Sequence, residues 1–179
     1  MRKLLMGFAL PLIALQALCW GQTSTPEWQR CWSKGTTIPA ETRINNCTNL
    51  IERGEKREFP VKLLAIAYSN RGIAYRDMDL TDQAISDFTK AIGLNSDLDV
   101  AYYNRGNAYG HKGLYDQAVA DYTKSIEIAP DHAAYTNRAW AHGKKGERDQ
   151  AINDYRAALK LDPNDKFAKD ALQRLGVPP

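Results

Sequence analysis

One pattern of residues occurs three times along this chain, and it restricts the folds that the chain can adopt. The pattern Tyr-x-Asn-Arg-x-x-Ala begins at Tyr68, Tyr102 and Tyr135, at offsets of 34 and 33 residues. An Asp-Gln-Ala triplet follows each copy after the same interval, and it begins at Asp82, Asp116 and Asp149. Self-similarity at this period is typical of stacked units of secondary structure that cannot bury their apolar faces alone.

Within each copy the apolar residues recur at helical rather than alternating spacing. In the middle copy, Ala118, Tyr122 and Ile126 fall on one helix face. Gly106 and Ala118 are small residues at facing positions, which let two helices approach closely. Residues that end a helix separate the halves and the copies: Asp79, Gly113 and Gly146 within copies, and Ser96, Pro130 and Pro163 between them. Each copy is therefore predicted to be an antiparallel pair of helices.

An arginine in the first helix and an aspartate in the second stand 16 residues apart in every copy. The pairs are Arg71 with Asp87, Arg105 with Asp121, and Arg138 with Asp154. This constant spacing predicts an ion pair between the two helices of each unit, with a structural role rather than a role in binding an anion. The middle pair is expected to be the most deeply buried.

These features together resemble the tetratricopeptide repeat family over residues 65–165. Copy one departs from the family pattern with Asp79 for glycine and Ser96 for proline. Copy three departs with Ala139 for glycine and His142 for tyrosine. The resemblance implies an all-α fold, a right-handed superhelical solenoid of antiparallel helix pairs. Its three units are placed at 65–98, 99–131 and 132–165.

Two helical segments flank the repeats and are predicted to cover their ends. In the N-terminal segment, 22–64, Cys31 and Cys47 form an even pair, which indicates a disulfide in an oxidising compartment. Free thiols and a redox pair are the alternatives. The bridge would pin a short helix over the open end, and 39–53 resembles the lone second helix of a degenerate earlier unit. Residues 166–179 are predicted to form a capping helix and tail, with apolar residues Phe167, Ala171, Leu172 and Leu175.

The first 21 residues have the pattern of a signal peptide. A cationic head precedes an apolar run at 4–18 and a small-residue exit, and about 15 apolar residues are too few for a membrane-spanning helix. Cleavage is expected after Gly21, with cleavage after Cys19 as the alternative. Leu18 argues against lipid attachment at Cys19, because a small residue is expected before a lipidated cysteine. The mature chain is predicted to be exported, to the periplasm or the extracellular space, without a membrane anchor.

Charge and motif content argue against several functional classes. The chain has 24 lysine and arginine residues, of which Arg2 and Lys3 belong to the predicted signal peptide. The remaining 22 stand against 21 acidic residues. This balance, with no basic tract, argues against nucleic acid as a partner. The histidines, at positions 111, 132 and 142, are too scattered for a metal site. With no nucleophile, zinc or phosphate-loop motif either, no catalytic residue, cofactor or metal is predicted, and the chain is not expected to be an enzyme.

The resemblance also implies where a ligand binds, because the first helices of the family line the concave side of the superhelix and peptides bind there. Asparagine amides could hold an extended peptide backbone, since they both donate and accept hydrogen bonds. They could instead bond neighbouring helices and fix the stacking. Aromatic side chains would add flat apolar contacts. The candidate groove residues are Asn70, Tyr103, Asn104, Asn107, Asn137 and Trp140, together with Ser69, Ile73, Asp77, His111, Thr136 and Lys144.

Some members of this family clamp the C-terminal carboxylate of a peptide with lysine or arginine. The corresponding positions here hold Ser69, Tyr103, Ala133 and Asn137, so this mode is not expected. The sequence predicts an exported scaffold that binds a protein or peptide in its concave groove without catalysis. The alternatives are an accessory subunit that positions a cell-envelope enzyme, and a self-association module. The oligomeric state is left open.

Overall fold

The computed structural model describes residues 26–32 and 38–178, and all the regular structure within them is α-helical. The predicted signal peptide, 1–21, lies outside these residues. None of the described helices is both long and apolar enough to cross a bilayer. Numbered along the chain, the described helices are α1 Pro26–Trp32, α2 Ala40–Glu55, α3 Val61–Arg76, α4 Thr81–Leu94, α5 Asp99–His111, α6 Tyr115–Ile128, α7 His132–Lys145, α8 Arg148–Leu161 and α9 Lys166–Arg174.

The repeated part folds into three antiparallel helix pairs, α3–α4, α5–α6 and α7–α8, which stack into a right-handed solenoid as predicted. The turn inside each pair places one residue in the left-handed region, with φ of 59° at Asp79, 74° at Gly113 and 81° at Gly146. Glycine adopts this conformation without a Cβ clash, and aspartate is one of the few other residues that tolerate it. The predicted break positions are thus confirmed.

Glycine at the contact between paired helices lets an aromatic ring lie against the backbone. A Cβ on Gly72 would lie 2.7 Å from the ring of Phe88, and a Cβ on Gly106 would lie 2.9 Å from the ring of Tyr122. Both rings are buried, so they have little room to move in a close-packed interior. The close approach predicted from the small residues is therefore present, and it depends on the missing Cβ.

The predicted ion pairs form in all three units, and each arginine donates two parallel hydrogen bonds to its aspartate. The six bonds are between 2.7 and 2.9 Å long, in the bidentate geometry that makes arginine–carboxylate pairs strong. The side chains of Arg71, Arg105 and Arg138 are 16%, 16% and 17% exposed, and their aspartate partners are 7%, 8% and 11% exposed. The expectation that the middle pair is the most buried is wrong, because α2 covers the first pair as fully as a complete unit covers the second.

Each of these arginines also reaches back to the helix that precedes its own pair. The Nη1 atom donates to a threonine Oγ1 at 3.0–3.1 Å, and the pairs are Arg71 with Thr48, Arg105 with Thr89, and Arg138 with Thr123. Thr89 and Thr123 belong to the second helices α4 and α6, whereas Thr48 belongs to α2. Helix α2 therefore takes the place of a second helix, which agrees with the interpretation of 39–53 as the remnant of an earlier unit.

A disulfide holds the short N-terminal helix against α2. Cys31 and Cys47 are bonded, with their Cα atoms 5.0 Å apart, and both are buried. Trp28 of α1 also packs edge-on against Phe59, with ring centroids 5.5 Å apart. Helix α1 has only 7 residues, and so short a helix is marginal by itself. Its position therefore depends on the disulfide, as the sequence predicts, and also on this aromatic contact, which the sequence did not indicate.

Helix α9 covers the last pair, but not with all of the predicted residues. Ala171 and Leu172 are buried, whereas Phe167 is 79% exposed. The buried face follows Ala168, Ala171 and Leu172, and Phe167 lies about 90° around the helix from the centre of that face. The prediction that Phe167 helps to cap the solenoid is therefore wrong.

Candidate binding groove

The first helices α3, α5 and α7 line a groove on the concave side of the solenoid. It comprises an N-terminal cavity of about 590 Å³, a middle cavity of about 500 Å³ and a C-terminal cavity of about 380 Å³. Tyr103 lines the N-terminal and C-terminal cavities, while Asn137 and Trp140 line the middle and C-terminal ones. These shared side chains make the three cavities parts of one groove. All twelve candidate residues from the sequence line it.

Trp140 is the large apolar side chain that projects into the groove from α7. It is 40% exposed, and its orientation is set by an edge-on contact with Tyr115, whose ring centroid is 5.6 Å away. The Nζ atom of Lys144 lies 5.6 Å from the centroid of the same ring, within the range of a cation–π interaction. A rigid, half-exposed indole of this kind is the type of side chain that anchors protein interfaces.

A hydrogen-bond network among groove-lining residues joins the second and third units. Asn137 donates from Nδ2 to the hydroxyl of Tyr103 at 3.1 Å and to Oδ1 of Asn107 at 2.9 Å. The hydroxyl of Tyr122 donates to the same Oδ1 at 2.8 Å. Burial and the nearby Tyr103 raise the pKa of Tyr122, so it stays a donor. The network leaves Oδ1 of Asn137 and Nδ2 of Asn107 without a partner among the described residues, and each could bond a ligand.

The two asparagines nearer the N-terminus differ from Asn137. Asn104 is only 5% exposed; its Oδ1 accepts from Arg76 at 2.7 Å and its Nδ2 donates to the carbonyl of Val100 at 2.8 Å. Asn70 has a buried Nδ2 with no hydrogen-bond partner within the described parts of the chain. The asparagines at the equivalent position of the three first helices therefore have different roles. Asn104 is structural, Asn70 is unpaired among the described residues, and Asn137 links two units.

Two arginines converge on one carboxylate in the N-terminal cavity. Arg43 of α2 bonds Oδ2 of Asp77 at 2.5 Å, and Arg76 bonds Oδ1 at 3.1 Å. Burial disfavours the charged form of Asp77, but these hydrogen bonds outweigh that effect and hold its pKa below the usual value. The cluster therefore carries two positive charges against one negative charge.

The C-terminal cavity contains a carboxylate that is held by several groups. Oδ2 of Asp165 accepts from Thr136 at 2.6 Å and lies 3.1 Å from Nδ1 of His132, while Oδ1 accepts from the backbone of Ala168 at 3.1 Å. The last bond caps the start of α9, as an aspartate at a helix N-terminus commonly does. Phe167 also lines this cavity.

No group of three or more His, Cys, Asp or Glu side chains within 26–32 and 38–178 is placed to hold a metal ion. The histidines His132 and His142 are each engaged with a carboxylate, His132 with Asp165 and His142 with Glu147 at 2.5 Å. Their observed contacts are structural links between helices.

The family comparison decides the class of the protein. The tetratricopeptide repeat model matches residues 65–98, 100–132 and 133–165, which together are more than half of the 179 residues. The chain belongs to the tetratricopeptide repeat family. No curated protein matches it by sequence.

Solved tetratricopeptide repeat structures share the fold. The Arabidopsis OM64 TPR domain is 30% identical with a TM-score of 0.63, and the match covers 64% of this chain and 96% of that domain. The second TPR domain of human RPAP3, in complex with the HSP70 peptide SGPTIEEVD, is 26% identical with a TM-score of 0.60, covering 63% and 94%. MamA is 29% identical with a TM-score of 0.60, covering 69% of each chain.

Several residues that line this tetratricopeptide groove were not predicted from the sequence. They come from outside the first helices or from their ends: Trp32, Arg43, Arg76, Phe167 and Arg174. The ligand-contact positions known for the family all lie within the repeats. They therefore indicate nothing about residues on α1, α2 and α9. One signal was present, because Arg43 precedes Asp77 by 34 residues, which is the period of the repeat.

Proposed function

We propose that this protein is an exported scaffold that binds an extended peptide segment of a partner protein in its concave groove and catalyses no reaction. The observation that carries the proposal is the continuity of the groove through Tyr103, Asn137 and Trp140. Extended chain needs a long surface with hydrogen-bonding groups and a few apolar anchors. Asn107, Asn137 and Trp140 supply these groups in the middle of the groove.

Similar structures support a peptide as the ligand. The second TPR domain of human RPAP3 is in complex with an HSP70 peptide, and the first TPR of Spaghetti is bound to the HSP90 peptide SRMEEVD. The present chain has Ala133 and Asn137 where some family members have basic residues that clamp a C-terminal carboxylate. The partner segment is therefore proposed to bind through side chains and backbone rather than through a free carboxyl terminus.

Export is proposed from the signal-like pattern of residues 1–21 and agrees with the disulfide. Bonds such as Cys31–Cys47 persist in oxidising compartments and are rare where thiols are kept reduced. The working site is therefore proposed to be the periplasm or the extracellular space.

Photocrosslinking at two positions tests the groove. Benzoylphenylalanine at position 140, in the groove, is expected to capture the partner in intact cells, whereas the same group at position 124, on the outward helix α6, is not. With the captured partner purified, Trp140→Ala should weaken binding by about 1–3 kcal/mol and Lys124→Ala should leave it unchanged. Capture from position 124 alone would contradict the proposal.

Self-association is a second candidate function, because Phe167 is 79% exposed at the C-terminal end of the solenoid. Aromatic residues are enriched in protein–protein interfaces relative to the rest of the protein surface. Light scattering across a concentration series tests it. A dimer in the parent and a monomer in Phe167→Ala would support it, and a monomer in both would exclude it.

A further inference from the structure

The N-terminal end of the groove has a wall that does not come from the repeats. Trp32, the last residue of α1, lines the N-terminal cavity and is 48% exposed. The preceding residue, Cys31, is buried and bonded to Cys47 of α2. The disulfide therefore fixes the backbone that carries the indole, and Trp32 is held at the groove as a preformed apolar surface.

The repeats also contribute apolar side chains to the lining of this cavity. Ile66 and Ile73 of α3 and Val100 and Tyr103 of α5 line it, and Val100 is 37% exposed. An apolar side chain that enters this cavity can contact both these residues and Trp32. Contact of this kind removes apolar surface of both partners from water, which favours binding.

Charge distinguishes this cavity from a plain apolar cleft. Arg43 and Arg76 share the single carboxylate of Asp77, so the cluster has one positive charge in excess. Nε of Arg43 and Oγ of Ser69 are buried, so Arg76, whose side chain is 34% exposed, presents the positive charge to a ligand. An anionic group is therefore the complementary ligand, because charge-assisted hydrogen bonds from guanidinium groups favour carboxylates.

We propose that this end of the groove is a subsite for a peptide segment in which a large apolar side chain stands beside an aspartate or glutamate. Trp32 and Val100 contact the apolar side chain, and the cluster of Arg43, Asp77 and Arg76 attracts the carboxylate. The subsite requires the Cys31–Cys47 bond, since that bond positions Trp32. The inference rests on the proposed function, because it specifies the partner chemistry for the same groove.

Selection from a random peptide library tests the subsite directly. Twelve-residue peptides, joined at both ends to a carrier protein so that no free carboxyl terminus is present, are selected against the disulfide-bonded protein. The enriched sequences should pair a large apolar residue with a neighbouring Asp or Glu. Enrichment of sequences that lack an acidic residue would overturn the proposed chemistry.

Binding by the enriched peptide, synthesised with both ends blocked, tests the residues. Trp32→Ala and the double variant Cys31→Ser, Cys47→Ser should each raise Kd about 10-fold or more, and Trp32→Phe should restore most of the affinity. Replacing the acidic residue of the peptide by its amide should weaken binding to the parent far more than binding to Arg76→Gln. Circular dichroism checks that each variant keeps its helical content.

Trp140→Ala separates this proposal from the proposed function. If Trp140→Ala weakens binding while Trp32→Ala and the cysteine variant bind as the parent does, the subsite is wrong and the groove remains the binding surface. If no peptide is enriched, or if neither tryptophan affects the affinity, both proposals are wrong. Loss of affinity in both tryptophan variants supports both.

Discussion

Arg71 donates from Nη1 to the hydroxyl of Thr48 over 3.1 Å, although Thr48 lies 23 residues earlier and precedes the first complete unit. The same guanidinium forms two bonds to Asp87 inside its own unit. Each repeat arginine thus closes one helix pair and ties it to the previous helix. In a solenoid, where units contact only their neighbours, such bonds contribute to both the intrinsic and the interface stability.

Removing the arginine of the middle unit should therefore destabilise the fold strongly. Arg105→Ala leaves the carboxylate of Asp121 buried without its partner, and we expect the free energy of unfolding to fall by about 3 kcal/mol. Urea denaturation followed by circular dichroism measures the change. Lys124→Ala, at an exposed ion pair with Glu127, is the control and should leave the midpoint unchanged. A stable Arg105→Ala would show that the buried pair is dispensable.

Two glycine substitutions should have opposite effects. In Gly106→Ala the new Cβ would lie 2.9 Å from the buried ring of Tyr122, and overpacking should cost about 1–3 kcal/mol. In Gly143→Ala the Cβ meets no atom within 4 Å, and the better helix former should add about 0.5–1 kcal/mol. Thermal unfolding of the pair provides the comparison. Equal melting temperatures would contradict the account of helix packing.

The turn of the first unit can be improved by the residue that the other two units use. Asp79 has a φ of 59°, whereas Gly113 and Gly146 occupy the equivalent positions. Asp79→Gly should raise the free energy of unfolding by about 0.5–1 kcal/mol, because glycine has no Cβ penalty in the left-handed region. Gly113→Ala, as the reciprocal change, should lower it. A destabilised Asp79→Gly would indicate that the aspartate side chain matters more than its backbone conformation.

Stability should depend on pH through the contact between His132 and Asp165. The hydrogen bond to Asp165 raises the pKa of His132 above its ordinary 6.5, with Asp131 and Asp162 adding to the effect. This stabilisation is fully present below about pH 6.5 and is lost as the pH rises through the folded-state pKa. The difference in unfolding free energy between the parent and His132→Gln should therefore decrease from pH 6 upwards. If the unfolding free energies of the parent and His132→Gln changed in parallel with pH, the contact would not contribute in this way.

Asp165, the carboxylate of the same contact, should make the stability depend on pH in the acidic range. Burial opposes the charged form of Asp165, but the bonds from Thr136, Ala168 and His132 hold its pKa below the ordinary 3.8. Its stabilisation is present above about pH 3.8 and is lost as the pH falls through the folded-state pKa. The contact contributes most between these two limits.

Export and the disulfide can be tested together by mass spectrometry. Protein recovered outside the inner membrane should begin near Gln22 and should be two hydrogens lighter than its reduced form, because Cys31 and Cys47 are bonded. Two alkylatable thiols in unreduced protein would exclude the bond. A mass that includes residues 1–21 would exclude cleavage.

The repeated part was predictable because its interactions recur at a fixed spacing. Three copies of an arginine and an aspartate 16 residues apart identify a contact that a single copy would not. The bond to Thr48 lies 23 residues from its arginine, outside that register, and no pattern marks it. Sequence spacing therefore predicts contacts inside a repeat unit well, but it predicts contacts at the irregular ends of the solenoid poorly.

The same distinction applies to the prediction of the groove. The candidate residues on the first helices line the groove. Their hydrogen bonds were not predicted, because the role of Asn104 depends on the side chain of Arg76, 28 residues away. Trp32 reaches the groove only because a disulfide docks α1. Phe167 leaves the core because the small Ala168, 0% exposed, occupies the buried face of α9. Tertiary placement decides each of these cases, and the sequence encodes it only indirectly.

Tyr103 lines both ends of the groove, and this has a consequence for selectivity. A segment that touches both ends makes its second contact at high effective concentration, so two individually weak determinants act as a bivalent ligand. The same determinants placed too far apart or too close together would bind no better than either one alone. Partners would then be distinguished as much by the interval between their contact residues as by the residues themselves.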